Sequence, residues 1–241
     1  MRIITSYPDD SKLFAAAAKC LADLSNSAVL EFGRCVIALP GGNTPRGLFR
    51  LLAKDPYRSA LPWSKLHFYW GDERCVPRDH PESNYKLAYD AFLSSVAIPE
   101  SNLHIVPVEG SLPSEVAQAY EQEIQRSFRL EPGEFPQFDL ILLGMGADGH
   151  TASLFPGGPE LDVQNRLVTW SQPDLSFTPR VTFTLETINQ AKNVSFLVSG
   201  IAKAAALGRV LDGDESLPAA LVKPREGKLM FFVDEEAVGS R

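Results

Sequence analysis

The chain has 241 residues, and a chain of this length can bury about 70% of the surface that it exposes when unfolded, so it needs no disulfide or metal to stabilise a core. Its three cysteines are odd in number and never spaced as Cys-x-x-Cys, which excludes a disulfide framework and a zinc knuckle and indicates a reducing compartment. The formal net charge of −7 excludes an extended nucleic-acid-binding surface, so any anionic ligand must be bound locally.

The sequence has no segment that we expect to enter a membrane. The N-terminus contains no apolar core of signal-peptide length, and no later stretch approaches the roughly 20 apolar residues of a membrane span. We therefore expect a cytoplasmic protein without a nucleic-acid or membrane partner, either a monomer or a small homo-oligomer.

Short apolar runs alternate with longer amphipathic segments along the chain. Apolar, β-branched runs of this length are typical of buried strands, and apolar residues at helical spacing indicate helices that cover them. After a short strand at the start of the chain, we predict strands over 35–39, 66–70, 103–106, 138–143, 194–198 and 229–233. We predict helices over 11–30, 45–53, 83–93, 113–130 and 201–211.

This alternation predicts a three-layer α/β/α fold, with a mostly parallel sheet covered by helices on both faces. The chain has no repeat of fixed period and no long linker, so we expect one domain over 1–241. The stretch 166–185 breaks the rhythm, because 167–170 and 181–185 resemble two strands without a helix between them. We expect a small antiparallel insertion there. Ligands of open α/β sheets bind at the carboxyl ends of strands, which directs attention to the loops.

The first such loop, Pro-Gly-Gly-Asn-Thr-Pro-Arg, follows the strand 35–39. Thr44 is predicted to cap the next helix and Pro45 to begin it. Gly41 and Gly42 let the backbone approach a ligand, and exposed N–H groups at a helix N-terminus favour an anion such as phosphate. Leu48 stands where a nucleotide-binding P-loop requires lysine, so nucleotide phosphates are not expected. A plain strand-to-helix turn is the alternative.

The second loop, Gly-Asp-Glu-Arg, follows the strand 66–70 and places three charged residues together. Arg74 can bind a phosphate through two parallel hydrogen bonds. Asp72 or Glu73 can orient a hydroxyl, a water or an imidazole. The alternative is a surface charge cluster with Asp72 as a turn residue.

The third loop, Gly-Met-Gly-Ala-Asp-Gly-His, satisfies the spacing G-x-G-x-x-G with Gly144, Gly146 and Gly149. A dinucleotide fingerprint must open a full helix and precede an acidic residue about 20 positions later. The Pro-Gly-Gly-Pro sequence at 156–159 ends any helix too early, and the next predicted strand ends in Val-Thr-Trp. The glycines are therefore interpreted as shaping a sharp turn, and no cofactor is expected.

That turn presents Asp148 and His150, two residues apart. An aspartate can position or charge-stabilise an imidazole that accepts a proton, which is what a hydrolase needs. A structural or surface histidine is the alternative. The four histidines are scattered, and neither His-Glu-x-x-His nor Gly-x-Ser-x-Gly occurs, so neither a metal site nor a serine triad is expected.

A later loop carries one more candidate for an anion site. The strand 194–198 ends in Ser-Gly and leads into a helix with Lys203 in its first turn. A lysine opposes the helix dipole at this end, which is unfavourable unless an anion lies nearby. A solvated surface lysine is the alternative.

Taken together, these motifs resemble the 6-phosphogluconolactonase family through nearly the whole chain. The matching segments are 39–45, 70–74, 80–85, 144–156, 180–184 and 199–203. The resemblance implies a Rossmann-like fold shared with glucosamine-6-phosphate deaminase and ribose-5-phosphate isomerase. It also implies hydrolysis of 6-phospho-D-glucono-1,5-lactone in the oxidative pentose phosphate pathway, without a cofactor.

The resemblance also implies roles for individual residues. His150 activates the hydrolytic water, Asp148 orients His150, and Arg74 helps to bind the substrate. By the same resemblance, candidates for the phosphate pocket are Gly42, Asn43, Thr44, Arg180 and Lys203. The loops themselves add Gly41, Asp72 and Glu73 as candidates for contacts with the substrate.

Two alternative functions remain open. A deaminase or isomerase is disfavoured because relatives with that activity carry a glutamate five residues beyond this histidine, where this chain has Phe155. A non-catalytic sugar-phosphate sensor should carry a basic helix-turn-helix segment, and this acidic chain starts directly with a strand.

Overall fold

A seven-stranded parallel sheet forms the centre of the molecule in the computed structural model, which describes residues 1–109 and 112–239. The ten strands are β1 (Arg2–Tyr7), β2 (Cys35–Leu39), β3 (Leu66–Trp70), β4 (Asp72–Arg74), β5 (Leu103–His104), β6 (Leu140–Leu143), β7 (Val168–Ser171), β8 (Arg180–Phe183), β9 (Asn193–Val198) and β10 (Lys228–Asp234). The parallel sheet has the order β1-β10-β9-β6-β2-β3-β5. Every residue of β2 and β6 is buried, because helices cover both faces of the sheet.

Helices connect most of these strands, as the sequence predicts. They are α1 (Asp10–Phe32), α2 (Asn43–Leu52), α3 (Tyr57–Ala60), α4 (Asn84–Ala91), α5 (Pro113–Phe128), α6 (Leu185–Asn189), α7 (Ala204–Leu211) and α8 (Glu235–Val238). The α/β/α class is thus confirmed. The strand predicted over 103–106 has only two residues, and the predicted helix 201–211 begins with a 3-10 turn before α7.

The helix α1 begins at a side-chain cap, because Asp9 accepts a hydrogen bond from the Lys12 backbone N–H at 2.8 Å. It ends at Gly33, whose φ of 77° suits glycine. The helix has 23 residues, and an 18-residue window within it has a mean hydropathy of 1.3, so by length and composition it could span a membrane. The expectation that no stretch approaches this limit was wrong. In the fold, however, one face of α1 packs into the core through Leu13, Ala17, Ala18, Leu21, Ser25 and Ala28.

The predicted antiparallel insertion is present and is larger than expected. The strands β7 and β8 form the hairpin, and β4 joins it to give the order β4-β8-β7. The residues of β4 were predicted as a loop, since a run of three charged residues has no strand pattern. Its register pairs Asp72 with Thr182 and Arg74 with Arg180, so the insertion brings two arginines together at the end of β3.

Candidate active site

A cleft of about 430 Å³ opens at the carboxyl ends of four neighbouring strands, β9, β6, β2 and β3. The order of the strands reverses between the neighbouring strands β2 and β6, and open α/β sheets bind ligands at such a switch point. The cleft is lined by residues 40–45, 144–146 and 197–199 together with Asp72, Arg74, His150, Ala152, Arg180 and Lys203. Most candidates from separate sequence motifs therefore meet in one place.

The first loop enters the cleft through two glycines with distinct roles. A Cβ on Gly41 would collide with the Asn84 side chain, and Gly42 has a φ of 100°, which other residues rarely adopt. Gly42 is also the residue that caps α2, and it offers no side-chain acceptor to the first N–H groups of that helix. These N–H groups at the edge of the cleft suit an anion.

The prediction that Thr44 caps α2 was wrong, because the helix already begins at Asn43. Thr44 lies inside the first turn, and its Oγ1 is 3.0 Å from Ser199 Oγ in the loop after β9. Both side chains line the cleft. The threonine thus joins two loops of the cleft.

Two arginines on paired strands place unneutralised charge in the cleft. Arg74 donates through Nη1 to the Glu82 carbonyl at 2.7 Å. Its Nε and that of Arg180 are buried and have no hydrogen-bond partner within the described residues. Neither guanidinium forms an ion pair within the part of the chain that the structure describes. Burial, followed by the charge of Arg74, lowers the pKa of Arg180. Desolvated and unpaired cations of this kind favour a bound anion.

The strand β4 separates its two acidic residues, because neighbouring side chains of a strand point to opposite faces. Asp72 faces the cleft with Arg74, two positions along. Its Oδ2 accepts a hydrogen bond from Ser153 Oγ at 2.7 Å, and Asn84 Nδ2 donates to its backbone carbonyl at 2.8 Å. Asp72 is therefore held in place by buried groups.

Glu73 does not line the cleft, contrary to its prediction as a substrate-binding residue. Its carboxylate accepts hydrogen bonds from the backbone N–H groups of Asn84 at 2.7 Å and Tyr85 at 2.8 Å. Ser83 Oγ donates to it at 3.1 Å. Burial raises the pKa of Glu73 despite these bonds. Glu73 fixes the start of α4, and its oxygens are directed away from any ligand in the cleft.

The third loop presents His150 to the cleft, with Asp148 behind it. Asp148 Oδ1 is 2.6 Å from His150 Nδ1 and accepts a second bond from the His150 backbone N–H at 3.1 Å. A carboxylate can only accept, so in the neutral imidazole Nδ1 carries the proton and Nε2 keeps its lone pair. Burial raises the pKa of Asp148, but the hydrogen bonds and charge of His150 outweigh it and leave the pKa below its ordinary value. The pair can act as a general base.

The glycines of this loop close a tight turn around the Asp–His pair. Gly146 donates its N–H to the His150 carbonyl at 2.8 Å, and a Cβ on Gly146 would collide with His150 Nδ1 and Asp148 Oδ1. Gly149 has a φ of 82°. No helix follows among residues 144–158, so the G-x-G-x-x-G spacing does not open a dinucleotide-binding helix.

Lys203 completes the cationic lining from the loop after β9. It forms no ion pair within the described part of the chain, although Asp234 lies in the neighbouring strand end. The Asp234 carboxylate instead accepts two bonds from the Gly200 backbone N–H, at 2.9 and 3.0 Å. This anchors the loop that carries Lys203.

Sequence reasoning missed the residues that hold the site together. Asn84 and Ser153 bond to Asp72, and Ser199 bonds to Thr44. All three residues lie in segments that match the family, at 80–85, 144–156 and 199–203, but no local pattern indicated which groups they bond. Within residues 1–109 and 112–239, no group of three or more His, Cys, Asp or Glu side chains could hold a metal ion.

Fold and cleft together define the class of protein. This is an α/β/α protein that presents an imidazole base and several unpaired cations at the switch point of its sheet, as in an enzyme that acts on an anionic small molecule.

The chain belongs to the glucosamine-6-phosphate isomerase/6-phosphogluconolactonase family, whose sequence profile matches residues 8–231. It is 46% identical to the 6-phosphogluconolactonase of Synechocystis sp. over 228 residues, which cover 93% of this chain and 92% of that protein. The enzyme of Nostoc sp. with the same name is 42% identical over 239 residues, covering 98% and 97%. The solved structure of 6-phosphogluconolactonase from Trypanosoma brucei superposes with a TM-score of 0.88 at 28% identity, covering 99% of this chain and 98% of that one. The resemblance expected from the sequence is confirmed.

Proposed function

We propose that this chain hydrolyses 6-phospho-D-glucono-1,5-lactone to 6-phospho-D-gluconate in the oxidative pentose phosphate pathway, with His150 as the general base. The observation that carries the mechanism is the 2.6 Å hydrogen bond that His150 Nδ1 donates to Asp148, at the edge of a cationic cleft. Relatives named 6-phosphogluconolactonase at 46% and 42% identity support the choice of substrate.

The phosphate of the substrate binds to the cations of the cleft and to the N-terminus of α2. Arg74 and Arg180 offer guanidinium N–H groups that have no protein partner, and Lys203 adds a third charge. Anchoring a group that does not react converts its binding energy into orientation of the reacting carbon. The lactone carbonyl then lies next to His150.

The reaction needs one proton acceptor that later becomes a donor. His150 Nε2 takes a proton from water as the water oxygen attacks C1, and the carbonyl becomes an oxyanion. When the carbonyl re-forms, the bond from C1 to the ring oxygen breaks, and the imidazolium gives its proton to that oxygen. The carboxylic acid then ionises and releases one proton. General-base assistance contributes about 10²- to 10⁴-fold, and backbone N–H groups of the glycine turn can stabilise the oxyanion.

Proton release measures this reaction directly. Purified protein is added to freshly made 6-phosphogluconolactone in a pH-stat, and base uptake is compared with the spontaneous rate. We expect a clear acceleration with one proton per lactone. The same protein is assayed for ammonia release from glucosamine 6-phosphate. Ammonia release without lactone hydrolysis would favour the deaminase alternative, and neither activity would favour the sensor.

We also propose that the chain works in the cytoplasm and as one domain. One face of α1 packs into the core, and its exposed side carries the ion pair between Lys19 and Asp23, which suits a helix that covers a sheet in water. Recovery of the protein in the membrane fraction of its cells, or two separate unfolding transitions, would contradict this.

A further inference from the structure

The ring of Phe155 contacts two functional groups from outside the cleft. Its centroid lies 4.7 Å from that of the His150 ring, with the planes inclined at 37°. The Arg180 guanidinium carbon lies 5.4 Å from the same centroid. Phe155 does not itself line the cleft, so it contacts the base and a cation but would not contact a substrate bound there.

The backbone of Phe155 is fixed by a buried carboxylate. Glu160 is 4% exposed, and its Oε1 accepts the Phe155 N–H at 2.8 Å. Gly158 donates its N–H to the Phe155 carbonyl at 3.0 Å, and a Cβ on Gly158 would collide with the Glu160 carboxylate. The turn therefore packs around Glu160, and the position of the aromatic ring is determined by it.

The ring is not simply part of the close-packed core. Phe155 is half-buried, and it lines a second cavity of about 450 Å³ together with Trp170. Arg180 forms no side-chain hydrogen bond or ion pair within the described residues, so this ring is what its guanidinium packs against. A cation over an aromatic face is held by the electrostatic field of the ring.

We infer that Phe155 is a positioning residue that holds the imidazole of His150 and the guanidinium of Arg180 in a fixed relation. This inference rests on the proposed function, in which those groups act on the lactone and on the phosphate. A small displacement of His150 lowers kcat, because misplacement of a base by about 1 Å can cost up to about 10²-fold. Loss of the contact to Arg180 raises KM.

Three variants test this role. Phe155→Leu keeps an apolar side chain but removes the ring, and Phe155→Tyr keeps the ring. Trp170→Leu is the matched control, since it removes an aromatic ring from the second cavity without a ring contact to His150 or Arg180. Folded fractions are equalised by circular dichroism, and kcat and KM are measured by proton release.

We expect Phe155→Leu to lower kcat by about 10-fold and to raise KM by roughly 3- to 10-fold. Phe155→Tyr restores both constants, and Trp170→Leu leaves both unchanged. A purely structural role would reduce the folded fraction alone. If Phe155→Leu does not fold, Phe155→Met takes its place. Constants within about twofold of wild type in the ring-deleted variant would overturn the inference.

A spectroscopic measurement separates this inference from the proposed function. The imidazole C–H resonances of His150, assigned by their loss in His150→Ala, are shifted by the ring current of Phe155. They should shift in Phe155→Leu and stay in place in Trp170→Leu. Unshifted resonances would overturn the inference even if the lactone is hydrolysed. Shifted resonances with no wild-type turnover would overturn only the proposed function.

Discussion

The bond between Asp148 and His150 determines which ring nitrogen can accept a proton. Because the carboxylate accepts from Nδ1, the imidazole keeps one tautomer, and Nε2 is the basic atom. The carboxylate also stabilises the imidazolium that forms when water is deprotonated. At the residue scale, the reactivity of His150 therefore depends on a side chain that does not line the cleft.

Replacing Asp148 by asparagine tests this dependence. The amide lacks the negative charge and no longer enforces the tautomer, so we expect kcat to fall by about 10²-fold or more, with KM nearly unchanged. Proton-release kinetics measure both constants. Asp23→Asn, on the exposed face of α1, is the charge-matched control. A kcat equal to that of the control would show that His150 needs no carboxylate.

At the scale of elements, the turn after β6 can accommodate only glycine at position 146. Gly146 leaves the space that the Asp148 and His150 side chains occupy, since a Cβ there would overlap both. By contrast, a Cβ on Gly71, between β3 and β4, would meet nothing closer than 3.8 Å. The two glycines therefore allow a matched comparison.

We expect Gly146→Ala to displace the Asp–His pair and lower kcat by at least about 10-fold, because small shifts of a base are costly. Gly71→Ala should keep kcat, since its new methyl group has room. Steady-state rates at equal folded concentration make the comparison. Equal kcat values for the two variants would contradict the packing described for the turn.

The edge of the sheet at β3 and β5 carries a cluster of two histidines and a glutamate outside the cleft. His67 Nδ1 lies 3.1 Å from His104 Nε2, and His104 Nδ1 lies 3.0 Å from Glu123 Oε1. Burial, followed by the charges of His104 and Arg34, lowers the pKa of His67 to about 4. The folded chain thus resists protonation of His67.

This cluster predicts a stability that depends on pH. Between the ordinary pKa of 6.5 and about 4, the unfolded chain binds more protons at His67 than the folded chain does. The contribution of His67 to the free energy of unfolding is therefore greatest above pH 6.5 and decreases as the pH drops toward 4. Urea unfolding at about pH 7.5 and about pH 5 should show a smaller drop for His67→Gln than for wild type. Identical drops in wild type and His67→Gln would refute the assignment.

Sequence patterns predicted the large elements and failed at the small ones. The runs over 35–39 and 66–70 are buried strands with the predicted bounds, because an apolar run of this length is stable only when buried. The strand β4 carries only charged residues and forms through its pairing with β8, over 100 positions later. If β4 had been predicted as a strand, the alternation of its side chains would have placed Glu73 on the opposite face from Asp72 and Arg74.

At the scale of the whole molecule, the net charge is negative, although the cleft collects three cationic side chains. The chain has a net charge of −7, and yet Arg74, Arg180 and Lys203 converge on one cavity. A concave site with low-dielectric walls concentrates such a field and attracts anions. The loops that supply these cations were each ambiguous in sequence, and only the order of the strands brings them together.

Lys203→Ala tests the contribution of this local charge to binding. Removing one cation should raise KM by about 10-fold and leave kcat within about twofold, because the phosphate contact is the same in ground state and transition state. Lys54→Ala, an exposed lysine outside the cleft, is the control and should change neither constant. A fall in kcat at constant KM would instead assign Lys203 to the chemical step.

The most direct test of the account compares wild type with His150→Ala on fresh 6-phosphogluconolactone in a pH-stat, at matched folded concentration. His150 is partly exposed, so its removal should leave the fold intact. Loss of the base should lower kcat by about 10²-fold or more, with proton release approaching the spontaneous rate. A folded His150→Ala protein with turnover close to that of wild type would contradict the central claim.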